Sequence, residues 1–303
     1  MKKNVMFGFG LAACVAMTSC GHSDYKKTDT GMTYDIISDG KGEAIKNGSL
    51  IKFNYKMLTG DSVLVSTFEN MPAYFKVDTS MKKQHSLTDI LPMMKVGDSA
   101  AFVCYVDTLR KMGAMPPTAK FAAGSTIKGY VKIISIFKDE AAIQADAKAE
   151  EAKELNRESA ALAIYLKENK ITATKTAKGA YVQITDAGTG PQAQNGKLVS
   201  VLYHGTNLKG KVFDSTKDTT FGHPNKPYEF VLGTGAAIEG WDECLTYFKQ
   251  GGKGTLYIPA MMAYKGQQAS EIIKPFTNLK FDVEVVGVKD APAAPATMQP
   301  PMH

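Results

Sequence analysis

Between Val199 and Phe281 the chain gathers Tyr203, Phe213, Tyr228, Phe230, Trp241, Tyr264 and Phe281, with Trp241 its only tryptophan. One acid, Asp214, stands among these rings, and Tyr203 and Tyr264 add two phenols. No nucleophile is paired with a base in this stretch, so covalent and proton-transfer chemistry have no obvious carriers. An apolar hole with one charge and a few donors can instead hold a small apolar group and fix the polar atoms beside it. The five histidines are scattered and neither CxxC nor HExxH occurs, so no metal site and no cofactor is expected. Taken one at a time these residues read otherwise. By type alone, Trp241, Phe230 and Phe281 are core, Asp214 caps a turn, and Tyr264 is an exposed phenol. The joint pattern, not any single residue, points to a site.

The elements that must position these residues are strands. Val199, Val201 and Tyr203 share one strand face. Tyr228, Phe230 and Leu232 share a second, and Leu279, Phe281, Val283 and Val285 a third. Ile171–Gln183 leads in, Asn195-Gly196 reads as a turn, and Glu239 to Phe248 reads as one short helix. Earlier in the chain, residues 31–137 show the same texture. Tyr34–Ile37, Leu50–Tyr55, Ala101–Val106 and Tyr130–Ile134 are rich in β-branched and aromatic residues, separated by turn signals such as Asp39-Gly40 and Asn47-Gly48. Residues 138–170 differ: rich in Ala, Glu and Lys, without Gly or Pro, they predict a long charged helix. Leu155, Leu162 and Leu166 give it a thin apolar stripe. It reads as a solvated connecting helix in preference to a dimerising coil, because sustained heptads are missing.

A hydrophobic content of 44% and a charged content of 22% in 303 residues suit two globular domains plus connections. The net charge of +6 is mild and includes Lys2 and Lys3 of the leader, so nucleic acid is not an expected partner. Residues 1–20 read as a secretory signal: two lysines, an apolar run from Val5 to Met17, small residues and a cysteine. Met17-Thr18-Ser19-Cys20 resembles a bacterial lipoprotein cleavage box. Leu11-Ala12-Ala13-Cys14 fits the box better but leaves an apolar region near the short limit. We take Cys20 as the lipidated residue, with an ordinary signal and an incidental cysteine as the alternative. Lipidation implies a membrane anchor with the folded part in water. Residues 21–30 then form a polar tether, and residues 290–303, rich in Pro and Ala, a disordered tail. Cys104 and Cys244, one per domain, read as small buried hydrophobes; a bridge between domains is the alternative.

The two strand-rich regions align with each other. Gly31–Tyr55 matches Gly179–Tyr203, Leu91–Gly97 matches Leu245–Gly251, and Ile127–Ile136 matches Leu279–Val288. This predicts one fold used twice. On these alignments Trp241 faces Leu87, Phe281 faces Gly129, and Phe213 and Asp214 face Val65 and Ser66. The aromatic cluster is kept only in the second copy.

YHGTNLKGKVFDST, PYEFVLGTGAAIEGWD, IPAMMAY and LKFDVEV resemble the FKBP-type peptidyl-prolyl cis-trans isomerases, over nearly all of 178–288. The resemblance implies an α+β fold of two FKBP-like antiparallel half-barrels, each wrapping a short helix, joined by the long charged helix. Residues 31–137 would be a degenerate copy and 171–289 the isomerase domain. It implies catalytic roles for Asp214 beside the reacting amide and for Tyr264 as a donor to a peptide carbonyl. It implies Trp241 as the floor of a proline pocket and Tyr203, Phe213, Tyr228 and Phe281 as its walls. Ala237 and Ile238 would lie at the rim, with the Ile238 N–H as a second donor, and Ile273 would close the far loop. Implied partners are proline-containing unfolded or exported polypeptides, with a macrolide as a candidate ligand. The lipoprotein-like leader, not the resemblance, gives the expected place: the cell envelope, lipid-anchored, on the outer membrane facing the periplasm. The remaining alternative is a non-catalytic peptide-binding or chaperone lipoprotein, or a purely structural one. Lys265 stands where the family usually has Gly after Ala-Tyr, and Lys274 where it usually has Pro.

Overall fold

The computed structural model describes residues 25–80, 84–116, 119–221 and 226–292. The expected signal segment, Cys20 and residues 293–303 of the expected tail lie outside the described residues.

Two seven-stranded antiparallel sheets follow one another along the chain. The first contains β1 (Lys26–Lys27), β2 (Thr33–Ile37), β3 (Leu50–Thr59), β4 (Ser62–Ser66), β5 (Ala73–Lys76), β6 (Ser99–Tyr105) and β7 (Thr126–Phe137). A short helix, α1 (Val106–Lys111), interrupts it after β6, and α2 (Glu140–Glu168) follows it. The second sheet contains β8 (Thr174–Lys175), β9 (Tyr181–Asp186), β10 (Lys197–Asn207), β11 (Val212–Ser215), β12 (Tyr228–Val231), β13 (Lys253–Ile258) and β14 (Leu279–Asp290), with α3 (Glu239–Cys244) between β12 and β13.

The sheet orders are β1-β2-β6-β7-β3-β4 with β5 on β3, and β8-β9-β13-β14-β10-β11 with β12 on β10. Strand for strand they are the same. Even the irregularities coincide. β3 slips against β7 between Lys52 and Phe53, and β10 slips against β14 between Ser200 and Val201. Bulges re-aim the strand that carries them, so both copies bend at the same place. The fold is therefore α+β with two like half-barrels.

Several expectations about element boundaries need correcting. Lys26–Lys27, placed in the tether, pairs with β2 at Tyr34 and Thr33. Asp290, placed in the tail, ends β14 and pairs with Lys197. The single helix expected from Glu239 to Phe248 is α3 followed by a separate 3-10 turn, Leu245–Tyr247. In the first sheet its counterpart is reduced to two 3-10 turns, Leu87–Asp89 and Leu91–Met93. The second, with Pro92, matches Leu245–Tyr247. The α-helix is lost before it, where His85 stands at φ +56, a left-handed conformation that no α-helix continues through.

α2 begins where Asp139 accepts the Ala142 N–H at 2.8 Å, an N-cap of the expected kind. It ends with Lys170 at φ +56 and the Ile171 N–H bonded to Leu166 O at 2.9 Å, a left-handed stop. It is not solvated all round. Leu162 and Leu166 pack with Tyr181 and Tyr257 of the second sheet, and the Tyr181 hydroxyl donates to Ser159 O at 3.2 Å. Its N-terminal half meets the first sheet, where Lys52 Nζ lies 2.7 Å from Asp146 and 3.1 Å from Glu150. Farther along, Arg157 donates to Asn70 at 3.1 Å. The sparse apolar stripe understated this contact, since much of it is polar.

Candidate functional site

β10, β11, β12, α3 and β14 converge on one cavity of about 600 Å³. Trp241 enters it from α3 because Gly240 lets the helix lie against β13: a Cβ at Gly240 would sit 2.3 Å from Ile258 Cγ2. The ring of Trp241, 4% exposed, is held edge-on by Tyr203 at 5.1 Å and by Phe281 at 5.2 Å between centroids. Phe213 meets Phe281 edge-on at 5.5 Å, and Tyr228 stacks on Phe230 at 5.3 Å. Such edge contacts add about 0.5–1.5 kcal/mol each beyond area burial, so the walls keep their shape without a ligand. Gly205 of β10 leaves the space that Phe213 and Phe281 occupy. A Cβ there would lie 2.8 Å from Phe213 Cζ and 3.0 Å from Phe281 Cε1.

The polar part is small and fixed. Tyr203 Oη donates to Asp214 Oδ2 at 2.5 Å, and the Ser215 N–H donates to Asp214 Oδ1 at 2.8 Å. Both carboxylate oxygens are thus engaged by protein donors. Burial, and then the Asp214 carboxylate, push the Tyr203 phenol well above its usual range, so it stays a proton donor. Burial and Asp214 also raise the Tyr264 phenol. Tyr228 Oη donates to Ala236 O at 3.1 Å, and Asp242 accepts from the Gly233 and Gly235 N–H groups at 2.8 and 3.2 Å. These bonds fix the loop that leads into Ala237 and Ile238 at the head of α3.

Of the residues singled out in the sequence, Tyr203, Phe213, Asp214, Tyr228, Ala237, Ile238, Trp241, Tyr264 and Phe281 line this cavity. Ile273 does not; it is buried in the adjoining apolar cluster. Ala236, Glu239 and Ala263 also line it and were missed, since an alanine carries no chemical signal and Glu239 reads as a helix-start acid. Gly205 and Ser215, which shape the site from behind, were missed too; the Asp214-Ser215 pair in the FDS motif was the available clue. A neighbouring recess of about 760 Å³ shares Tyr203, Asp214 and Tyr228 and continues past Thr216, Lys226, Pro227 and Glu229. Cys104 and Cys244 are free and buried, and burial pushes both thiols up, Cys104 to about 12. Among the described residues no group of His, Cys, Asp and Glu could hold a metal ion.

The first copy fills the corresponding space. Its register places Tyr55, Val65, Ala73 and Gly129 where the second has Tyr203, Asp214, Tyr228 and Phe281. The Tyr55 N–H donates to the Thr67 hydroxyl as the Tyr203 N–H donates to the Thr216 hydroxyl, which fixes this register. Phe213 and Asp214 therefore match Leu64 and Val65, one residue away from the Val65 and Ser66 expected from the sequence, because, counted between paired positions, the turn between β10 and β11 is one residue longer than that between β3 and β4. Opposite Gly129 stands Phe102, whose ring atoms lie 2.0–2.5 Å from a Cβ built on that glycine. Opposite Phe281 stands Leu256. The large ring has moved to the neighbouring strand, and the space is closed.

The chain belongs to the FKBP family. Residues 190–286 match the family model for FKBP-type peptidyl-prolyl cis-trans isomerases. An FK506-binding protein of Neisseria meningitidis serogroup B is 36% identical over 110 residues, which is 36% of this chain and 96% of that protein. A probable FKBP-type peptidyl-prolyl cis-trans isomerase FkpA of the same organism is 38% identical over 134 residues, or 44% of this chain. The match spans about half (47%) of that relative's length. The crystal structure of FkpA from Escherichia coli is 33% identical with a TM-score of 0.38, covering 50% of this chain and 69% of that one.

Proposed function

We propose that residues 171–289 form a peptidyl-prolyl cis-trans isomerase domain acting on X–Pro bonds of polypeptides. The observation that carries this reading is the cavity itself: a tryptophan floor and aromatic walls beside a carboxylate whose two oxygens are already held. A carboxylate so engaged is held in place by the protein rather than aimed at a substrate proton. The reaction needs no base. Rotation about an X–Pro bond is opposed by amide resonance, a barrier of about 20 kcal/mol, and no covalent bond is made or broken. The catalyst has only to bind the twisted amide better than either planar form. Burying the proline ring contributes about 2 kcal/mol at the usual value per methylene. The Tyr264 hydroxyl and the Ile238 N–H hold the flanking carbonyls. The apolar walls favour the twisted amide, which is less dipolar than the planar one.

The substrates are read as exported proteins during folding, and the chain as a lipoprotein anchored through Cys20 in the cell envelope. That part rests on the leader-like sequence alone; among the described residues no helix is long and apolar enough to cross a membrane. Residues 31–137 are read as a degenerate, non-catalytic copy, because Val65, Ala73 and Gly129 replace an acid and two rings. A macrolide that mimics a proline ring and its carbonyls would enter the same cavity. The second reading, a chaperone gripping extended chains with little isomerase activity, is favoured by the closed first copy, which has kept the fold without the pocket.

Protease-coupled or exchange kinetics on an Ala-X-Pro peptide test the proposal. The full chain accelerates isomerisation, and Trp241→Ala and Asp214→Ala each remove most of the acceleration. A wild-type chain without effect, or variants as fast as wild type, overturns it. Suppression of aggregation that survives Trp241→Ala would favour the chaperone reading.

A further inference from the structure

α2 reaches the second sheet at the segment that carries Tyr264. Glu158 Oε2 accepts the Met261 N–H at 2.8 Å. Two turns earlier on the helix, Glu151 lies 3.8 Å from Lys265 Nζ. Met261 and Lys265 bracket Ala263 and Tyr264, both on the cavity wall. The segment is a tight turn closed on Ala260, whose carbonyl accepts from Ala263 N at 2.9 Å and Lys265 N at 2.8 Å. Its bonds to the rest of the second sheet unit include the Ala260 N–H donating to Asn278 Oδ1 at 2.9 Å, the Phe276 N–H donating to Lys265 O at 2.8 Å and the Gln267 N–H donating to Tyr264 O at 3.0 Å. Glu158 adds the hydrogen bond from α2.

Glu158 is an expensive residue to place here. It is 4% exposed, and its second oxygen, Oε1, receives no donor hydrogen bond among the described residues, with the Glu154 carboxyl beside the group. A carboxyl buried in this way is unfavourable unless its hydrogen bond is needed. Burial raises it to about 7, with Glu154 nearby adding to the shift and Arg157 opposing it. Those two lie on its own helix, and the Met261 amide faces it from the other side. Helix packing alone does not ask for this group, since Leu162 and Leu166 already bury against Tyr181 and Tyr257. What only an acceptor can do at this position is hold Met261.

We propose that Glu158 is a positioning residue of the isomerase site: through the Met261 amide it sets the turn that presents Tyr264 to the substrate. The connecting helix is then a working part of the site. This rests on the isomerase reading above and extends it to a residue outside the second sheet.

The test uses the full chain and an Ala-X-Pro peptide, with Trp241 emission as the check that the site is folded. Glu158→Leu packs but cannot accept, and it lowers kcat/KM about tenfold through kcat. Glu158→Ala does the same. Glu158→Gln keeps an acceptor for Met261 and recovers the rate to within about twofold. In the Glu158→Leu background Tyr264→Phe costs little more, because both changes act through one hydroxyl and their effects do not add. Full rates in Glu158→Leu with native Trp241 emission overturn the positioning role, as does simple additivity with Tyr264→Phe. Failure of Glu158→Gln to recover the rate overturns it too. No acceleration by the wild-type chain would instead overturn the isomerase reading itself.

Discussion

Phe281 of β14 stands opposite Gly205 of β10, and the missing side chain of Gly205 is what lets the Phe281 ring lie in the cavity wall. A Cβ there would press on both Phe281 and Phe213 at 3.0 Å or less. Gly205→Val is therefore expected to displace both rings. Overpacking of this kind costs about 1–3 kcal/mol, measurable by denaturant unfolding. Isomerisation of an X–Pro peptide should fall by about tenfold or more, as a misplaced wall loses the substrate geometry.

The same ladder position in the first copy gives a second prediction. Gly129→Phe alone sets two rings against each other, because Phe102 already occupies the space. The variant should be destabilised by about 3 kcal/mol or more. Phe102→Leu alone leaves a cavity and costs about 1–3 kcal/mol. Combined, the two changes reproduce the Leu256 and Phe281 arrangement of the second copy, so the double variant should be more stable than the Gly129→Phe single. Thermal unfolding of the three variants measures the coupling.

Lys265 has φ +54, a left-handed conformation that costs a residue with a side chain about 1–2 kcal/mol. Glycine adopts it freely but loses more entropy on folding. Lys265→Gly should therefore raise stability by up to about 1 kcal/mol, because the exposed contact with Glu151 that it gives up, with both side chains about half exposed, is worth little. A rise in the unfolding midpoint in urea checks this.

Glu158 predicts a pH dependence. Its carboxyl is raised from 4.5 to about 7 in the folded chain, chiefly by burial. The folded state therefore holds this proton more tightly than the unfolded one. Stability from this group is complete below about pH 4.5 and is lost as pH rises through about 7. Relative to Glu158→Gln, which does not titrate, the wild-type Tm should fall between pH 5 and pH 8. Equal pH slopes for the two proteins would contradict this.

What was legible in the sequence was whatever periodicity and residue type determine. Strand faces such as Val199, Val201 and Tyr203 could be read because alternation follows burial. The repeat could be read because turns at Asn47-Gly48 and Asn195-Gly196 keep their spacing. Trp241, Asp214 and Phe281 could be singled out because such residues are unusual together. Loop geometry was less legible: the offset between β4 and β11 slipped by one residue, since a loop's length does not say where its extra residue is absorbed. Residues whose contribution is space rather than substance, Gly205 and Gly240, gave no signal. Nor did Glu158, which reads as one more charge on a polar helix until its partner, 103 residues later, is seen.

The exchange of Phe102 and Gly129 for Leu256 and Phe281 also bears on how the two copies diverged. Starting from either arrangement, the first substitution toward the other leaves two rings in the space of one, or none. Both intermediates are poorly packed, so selection for a stable fold resists each path at its first step. Such a barrier works as a ratchet. Once the ring had changed strands, the two halves of the chain could accumulate further changes independently, with little prospect of one reverting to the work of the other.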